Sequence, residues 1–235
     1  MTLSDYFTEQ NGFIEFTREQ ASRFAKDIAG DYNPIHNPDS KRFCVPGDLL
    51  FACSIRQHGL SQHMKFRFSG MVDSGIALDF RATEQDEFPV LSSKGKEYLN
   101  ISRAGELTRD QQRIDQLTRE YVAFSGYTFP HLLVPLMGEK AVMINPARPL
   151  IIYESMEIHL DSLDFDTLSL EEGQCELNVN GKRGDALLRF RFVDHTGRSI
   201  GTGLKTMVLS GLRPYDEEAM TELVETFHAA KIEAA

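Results

Sequence analysis

With 235 residues, 41% of them apolar and 26% charged, the chain has enough material for one large domain or two small ones around a real core. A formal net charge of −10 and an isoelectric point near 5.2 exclude a nucleic-acid binder that works through a broad basic face, because phosphate contacts need an excess of Lys and Arg. Cys44, Cys53 and Cys175 are irregularly spaced and odd in number, so they provide neither a disulfide framework nor metal-ligand spacing. The N-terminus has no basic region followed by an apolar run, and no segment is apolar for long enough to span a membrane. The expectation is a cytoplasmic protein with reduced thiols and no metal or other cofactor.

Phe13-Ile14-Glu15-Phe16 alternates and reads as a short strand. Thr17 then has the character of an N-cap, with Gln20 as its capping-box partner, and Ala21, Phe24, Ala25 and Ile28 share one helical face up to about Ala29. The helix delivers Gly30-Asp31-Tyr32-Asn33-Pro34-Ile35-His36. Asn33 precedes Pro34 and is pushed out of the α region, while Gly30 can adopt backbone angles closed to other residues. This predicts a rigid turn that aims Asp31 and His36 into one space, the pairing used for general acid–base chemistry. On turn chemistry alone, the favoured reading is that Asp31 and Asn33 cap or turn the helix end.

Gly47 to Leu60 reads as a second helix, apolar nearly all round through Leu49, Leu50, Phe51, Ala52, Cys53 and Ile55. His58 and His63 flank its end, where a helix dipole favours them. Strands are predicted at Lys65–Met71, Ile76–Thr83 and near Tyr98–Ser102, with Glu84–Glu87 as an acidic loop. Thr108–Phe124 is charged but helical in spacing, with Ile114, Leu117, Tyr121 and Phe124 on one face. Phe129 to Gly138 reads as the start of another buried helix, with Pro130 in its first turn and His131 beside it, and Pro135 is expected to kink or end it. Four strands follow near Leu150–Leu160, Gly173–Val179, Ala186–Val193 and Ser199–Ser210, with hairpin turns at Asn180-Gly181 and Thr196-Gly197, before an acidic tail helix at Glu217–Ala230.

The stretch Gly30-Asp31-Tyr32-Asn33-Pro34-Ile35-His36 resembles the G-D-x-N-P-[ILV]-H signature of MaoC-like dehydratases and (R)-specific enoyl-CoA hydratases. Pro46-Gly47-Asp48-Leu49-Leu50 is similar to that family's entry into its central helix. The resemblance implies an α+β hotdog fold, in which an antiparallel sheet wraps a central helix. Because the plan of buried helix followed by strands occurs twice, it implies a double hotdog, with units at 1–106 and at 107–235 including the tail helix. Units of this fold pair, so the partner unit lies inside the chain or in a homodimer.

It further implies a hydratase or dehydratase acting on a 2-enoyl thioester of CoA or acyl carrier protein, with no nucleic acid or membrane partner. Asp31 and His36 would hold the catalytic water, Asn33 would brace the loop, and the N–H near Gly47 and Asp48 would bind the thioester carbonyl. His131 would belong to the acyl-binding side. Lys94 and Lys96 flank Gly95 in a small basic loop that reads as a solvated turn or as a seat for carrier phosphates. The chain departs from the family pattern at Asp48, where an apolar residue is usual. A carboxylate there either repels developing negative charge or stabilises the helix N-terminus. A thioester-binding protein without turnover and an acyl thioesterase are the alternative readings.

Overall fold

The computed structural model describes residues 3–233. A short 3-10 turn, Leu3–Tyr6, leads into a hairpin of β1 (Thr8–Gln10) and β2 (Phe13–Glu15). Thr17 caps α1 (Arg18–Arg23) through the reciprocal pair its spacing predicts: its hydroxyl accepts from the Gln20 N–H, and the Gln20 side chain accepts from the Thr17 N–H. The helix then widens into a π-helical segment, Phe24–Ala29, which Gly30 ends at φ 64°. The left-handed angle at Gly30 turns the chain abruptly toward Asp31.

α2 (Gly47–His58) is buried on most sides and passes through Gly59, at φ 88°, directly into β3 (Leu60–Phe68). β4 (Leu78–Asp79), β5 (Glu87–Leu91) and β6 (Glu97–Thr108) follow. The long helix α3 (Gln111–Thr128) runs through a second π-helical segment, Phe129–Leu133, into α4 (Val134–Glu139). After β7 (Val142–Met143) come the long strands β8 (Ile151–Leu160), β9 (Ser169–Asn180), β10 (Arg183–Val193) and β11 (Ser199–Ser210). β12 (Arg213–Pro214) and α5 (Glu217–Glu233) close the chain.

The major strands form one seven-stranded antiparallel sheet in the order β5-β6-β3-β8-β11-β10-β9. β3 and β8, the first sheet strands after the two long helices, pair with each other, so the strands that follow α2 and those that follow α3 join edge to edge. Directly opposed residues share a face of the sheet. Phe66, Met156, Lys205 and Leu188 therefore form one row across β3, β8, β11 and β10. Helices α2 and α3 pack on that face: Phe51 of α2 meets Phe66 and Tyr121 edge-on, and Tyr121 of α3 lies on Phe190 of β10. The arrangement is an α+β hotdog fold, as expected. Among the described residues no helix is long and apolar enough to cross a membrane.

Three expectations are corrected. The second central helix is α3 itself, which begins at Gln111 and is capped by the Asp110 carboxylate; Phe129 does not start a new helix. Pro130 lies inside the continuous helical run, where a widened π-turn accommodates a residue that has no N–H and crowds the preceding carbonyl. β5 starts at Glu87, the last residue of the predicted acidic loop, where no strand was expected; as an edge strand it tolerates Pro89 while Phe88 and Val90 are buried. The strand expected at Ile76–Thr83 shrinks to the two residues of β4.

Two packing details make stability predictions. A methyl group on Gly126 of α3 would sit 1.6 Å from the Ala29 carbonyl oxygen, so the end of the first π-segment rests directly on that glycine. Gly126→Ala therefore overpacks the junction and is expected to cost about 1–3 kcal/mol in denaturant unfolding. His58 is buried between Phe80 and Phe88, and among the described residues neither ring nitrogen has a hydrogen-bond partner. Burial, with Arg103 and Arg109 nearby, lowers its pKa from 6.5 to about 4. The unfolded chain thus binds this proton more readily than the folded one, so His58 contributes stability above pH 6.5 that is lost as pH falls through 4. The loss should be roughly 2–3 kcal/mol, and the difference between wild type and His58→Leu in unfolding free energy across that range isolates it.

Candidate active site

A cavity of about 330 Å³ lies where the Asp31–His36 turn faces the start of α2, with α3 and β11 behind. The turn is built from its own side chains. Asp31 Oδ1 accepts from the Asn33 N–H at 2.9 Å, and Asn33 Oδ1 accepts from the Ile35 N–H at 3.1 Å, capping the 3-10 turn Pro34–His36. Asn33 therefore braces the loop. His36 Nδ1 lies 2.7 Å from the Cys44 carbonyl oxygen, an atom that only accepts, so Nδ1 carries the proton. A neutral His36 then has its lone pair on Nε2, which lies 3.6 Å from Asp31 Oδ2. Both side chains are partly exposed to the cavity.

The opposite wall is the N-terminus of α2, whose first N–H groups have no acceptor within the helix. Gly47 lines the cavity, and a methyl group there would strike the Tyr153 ring at 2.6 Å. The Tyr153 ring packs at a tilt against Phe68, with centroids 4.3 Å apart, and shares a hydrogen bond with Tyr121 through their hydroxyls. Burial raises both phenol pKa values well above their usual range.

Asp48 is buried and is not alone. Its Oδ2 accepts from the Ser125 hydroxyl, and the Ser125 oxygen accepts from Lys205 Nζ. Lys205 is only 2% exposed; its ammonium lies 3.8 Å from Asp48 Oδ1 and 4.1 Å from the centre of the Tyr153 ring. Burial pushes the Asp48 carboxyl pKa up, and Lys205 and Ser125 pull it back. Burial pushes the Lys205 pKa down, and Asp48 pulls it back. Asp48 Oδ1 has no hydrogen-bond donor among the described residues.

The structure thus brings together Asp31, Asn33, His36, Gly47 and Asp48 in one cavity. It does not bring His131 there: that residue is exposed on the second π-segment and stacks on Tyr127 at 4.0 Å. Sequence reading missed Lys205, Ser125 and Tyr153. A signal for Lys205 exists, since period-two alternation puts it on the face of β11 that carries Gly201 and Gly203. Lys205→Met strands the Asp48 charge and is expected to cost about 3–5 kcal/mol in unfolding free energy, whereas the double variant Asp48→Leu/Lys205→Met should recover most of that loss.

Comparison with solved structures finds similar chains at low sequence identity. A conserved protein of unknown function with a hot dog fold from Alicyclobacillus acidocaldarius is 8% identical over 92% of this chain and 99% of that one, with a TM-score of 0.47. A MaoC-like dehydratase is 12% identical over 89% of this chain and 99% of that one, with a TM-score of 0.42. The tesB protein of Mycobacterium avium subs paratuberculosis is 9% identical over 72% of this chain and 89% of that one, with a TM-score of 0.44. No curated protein matches the sequence. The model of one family, described as protein of unknown function (DUF3581), matches residues 1–218, and the chain belongs to that family.

Proposed function

We propose that the chain is an acyl-thioester enzyme of the hydratase or dehydratase type, with Asp31 and His36 as its acid–base pair. The observation that carries this reading is the oriented imidazole: the Cys44 carbonyl holds the Nδ1 proton, and Nε2 faces the Asp31 carboxylate across a gap at the cavity wall. A water molecule held between Nε2 and Asp31 Oδ2 is placed for attack on the β-carbon of a 2-enoyl thioester. As the carbon–oxygen bond forms, the water proton moves to Nε2 and the π-electrons shift through the α-carbon to the thioester oxygen. The N–H groups at the start of α2, around Gly47, receive that oxygen, and His36 then returns its proton to the α-carbon.

Asp48 is compatible with this scheme because its charge is balanced by Lys205 and bridged by Ser125. The carboxylate need not repel an enolate forming at the same helix end. The pocket draws residues from both halves of the chain, Asp31, His36 and Gly47 from one and Ser125, Tyr153 and Lys205 from the other, which supports the division into paired units at 1–106 and 107–235. Lys96 supports a phosphorylated carrier, either CoA or acyl carrier protein. It is exposed over the Tyr98 ring at 4.4 Å, and its ammonium lies 3.7 Å from where a methyl on the cavity-lining Gly70 would stand.

The test follows trans-2-enoyl-CoA thioesters by loss of the conjugated-enoyl absorbance. Wild type should consume them without releasing free thiol, and Asp31→Asn and His36→Ala should each lower kcat by roughly 10²–10⁴. Thiol release that depends on Asp31 would instead identify a thioesterase. Full hydratase activity in both variants would sink the assignment of the pair.

A further inference from the structure

A second cavity, of about 500 Å³, lies beneath α5 and adjoins the first. Asn33, Ile35, Phe129 and Ile151 line both, so the acid–base turn and the second π-segment form the partition between them. Beyond the partition the wall is mainly hydrocarbon: Ile144, Pro146 and Pro149 on one side, and the inner face of α5 on the other. That face carries Ala219, Leu223, Phe227 and Ala230, a helical spacing that presents one stripe. Phe227 is buried; it packs edge-on against Tyr32 of the turn at 5.9 Å and at a tilt against Phe129 at 5.6 Å. Glu222 is the one charged side chain of the lining, and it is exposed.

We infer that this chamber takes the aliphatic chain of the thioester, with the inner face of α5 setting how long a chain fits. The inference rests on the thioester reading above. A molecule with its carbonyl at Gly47 and its β-carbon at Asp31 and His36 must lead its remaining carbons somewhere. Ile35, Phe129 and Ile151, which line both cavities, are the side chains that such a chain passes to reach the apolar space beyond, which is large enough for a small-molecule ligand. The side chains there offer little to a polar or charged group and match a run of methylenes. Leu223 is half-buried at the middle of the stripe, so its size controls how much of the chamber is free.

The experiment is isothermal titration of the full chain with 2-oxoalkyl thioethers of CoA, from butyl to hexadecyl, which can be neither hydrated nor hydrolysed. In wild type, affinity should rise by up to about fourfold per added methylene until the chamber is filled, and then level off. Leu223→Trp should bring the plateau to shorter chains and Leu223→Ala should move it to longer ones. Ala219→Phe, on the same stripe, is the second filling variant should Leu223→Trp fail to fold by circular dichroism. An identical length profile in all variants would overturn the chamber while leaving thioester binding intact. Absence of binding at every length would overturn both.

Discussion

The hydrogen-bonded bridge Asp48–Ser125–Lys205 is the constraint on which the rest of the site depends. It joins the N-terminus of α2, the C-terminal turn of α3 and the inner face of β11, three elements distant in sequence. A buried ion pair adds little net stability over a well-packed apolar substitute, because desolvating two charges offsets most of their attraction. Its effect is better seen in geometry. Apolar contacts between α2, α3 and the sheet would tolerate small sliding motions, whereas a carboxylate, a hydroxyl and an ammonium must meet at hydrogen-bonding distance or remain costly and unpaired. The bridge sets the depth and rotation of the α2 start, and hence where Gly47 presents its N–H. The same logic explains the ammonium on a sheet face otherwise lined by Phe66, Met156 and Leu188.

The residue after Ser125 fixes the other wall. Gly126 has no side chain, and the Ala29 carbonyl occupies the space one would fill. Consecutive positions on α3 thus hold the two halves of the cavity at a set separation: Ser125 reaches α2, and Gly126 seats the segment that leads into Asp31. The π-helical segment before Gly30 shifts the register of the helix end, and the N–H of Asp31 bonds back to the Ala25 carbonyl at 2.8 Å. Wide helical turns of this kind recur where a backbone must depart from regular geometry to aim a group. The second such segment, Phe129–Leu133, follows closely on α3 and forms part of the partition between the two cavities.

Much of this was legible in the sequence, for local reasons. The Gly30–His36 turn is governed by a left-handed glycine, a proline and two short polar side chains that bond their own backbone, so its shape follows from adjacent residues. The capping box at Thr17 and the buried character of α2 are equally local. The edge strand at Phe88 and Val90 was not legible because a proline between them argues against a paired strand, and edge position, which tolerates it, is a property of the assembled sheet. The second central helix was misplaced because Pro130 suggests a start, whereas the helix had begun at Gln111 and passed through it. His131 looked chemical, but the π-segment turns it outward. Lys205 was missed because strand lysines ordinarily face solvent, and its partner Asp48 lies far away in sequence.

Asp48 shows how a local departure can be read wrongly without its tertiary partner. Taken with α2 alone, a carboxylate in the first turn weakens any anion site at that helix end, since it already occupies the positive potential there. With Lys205 and Ser125 in place, the Asp48 carboxylate is paired with a cation, and in the proposed scheme the helix dipole would again be available to a carbonyl oxygen that gains negative character. The Tyr153 ring reinforces this: it lies against Gly47 and under the Lys205 ammonium, and so keeps the cation close to the helix end. Screening by water is reduced in such an enclosed place, and the balance between Asp48 and Lys205 therefore governs the potential at Gly47 more than the overall acidity of the chain does.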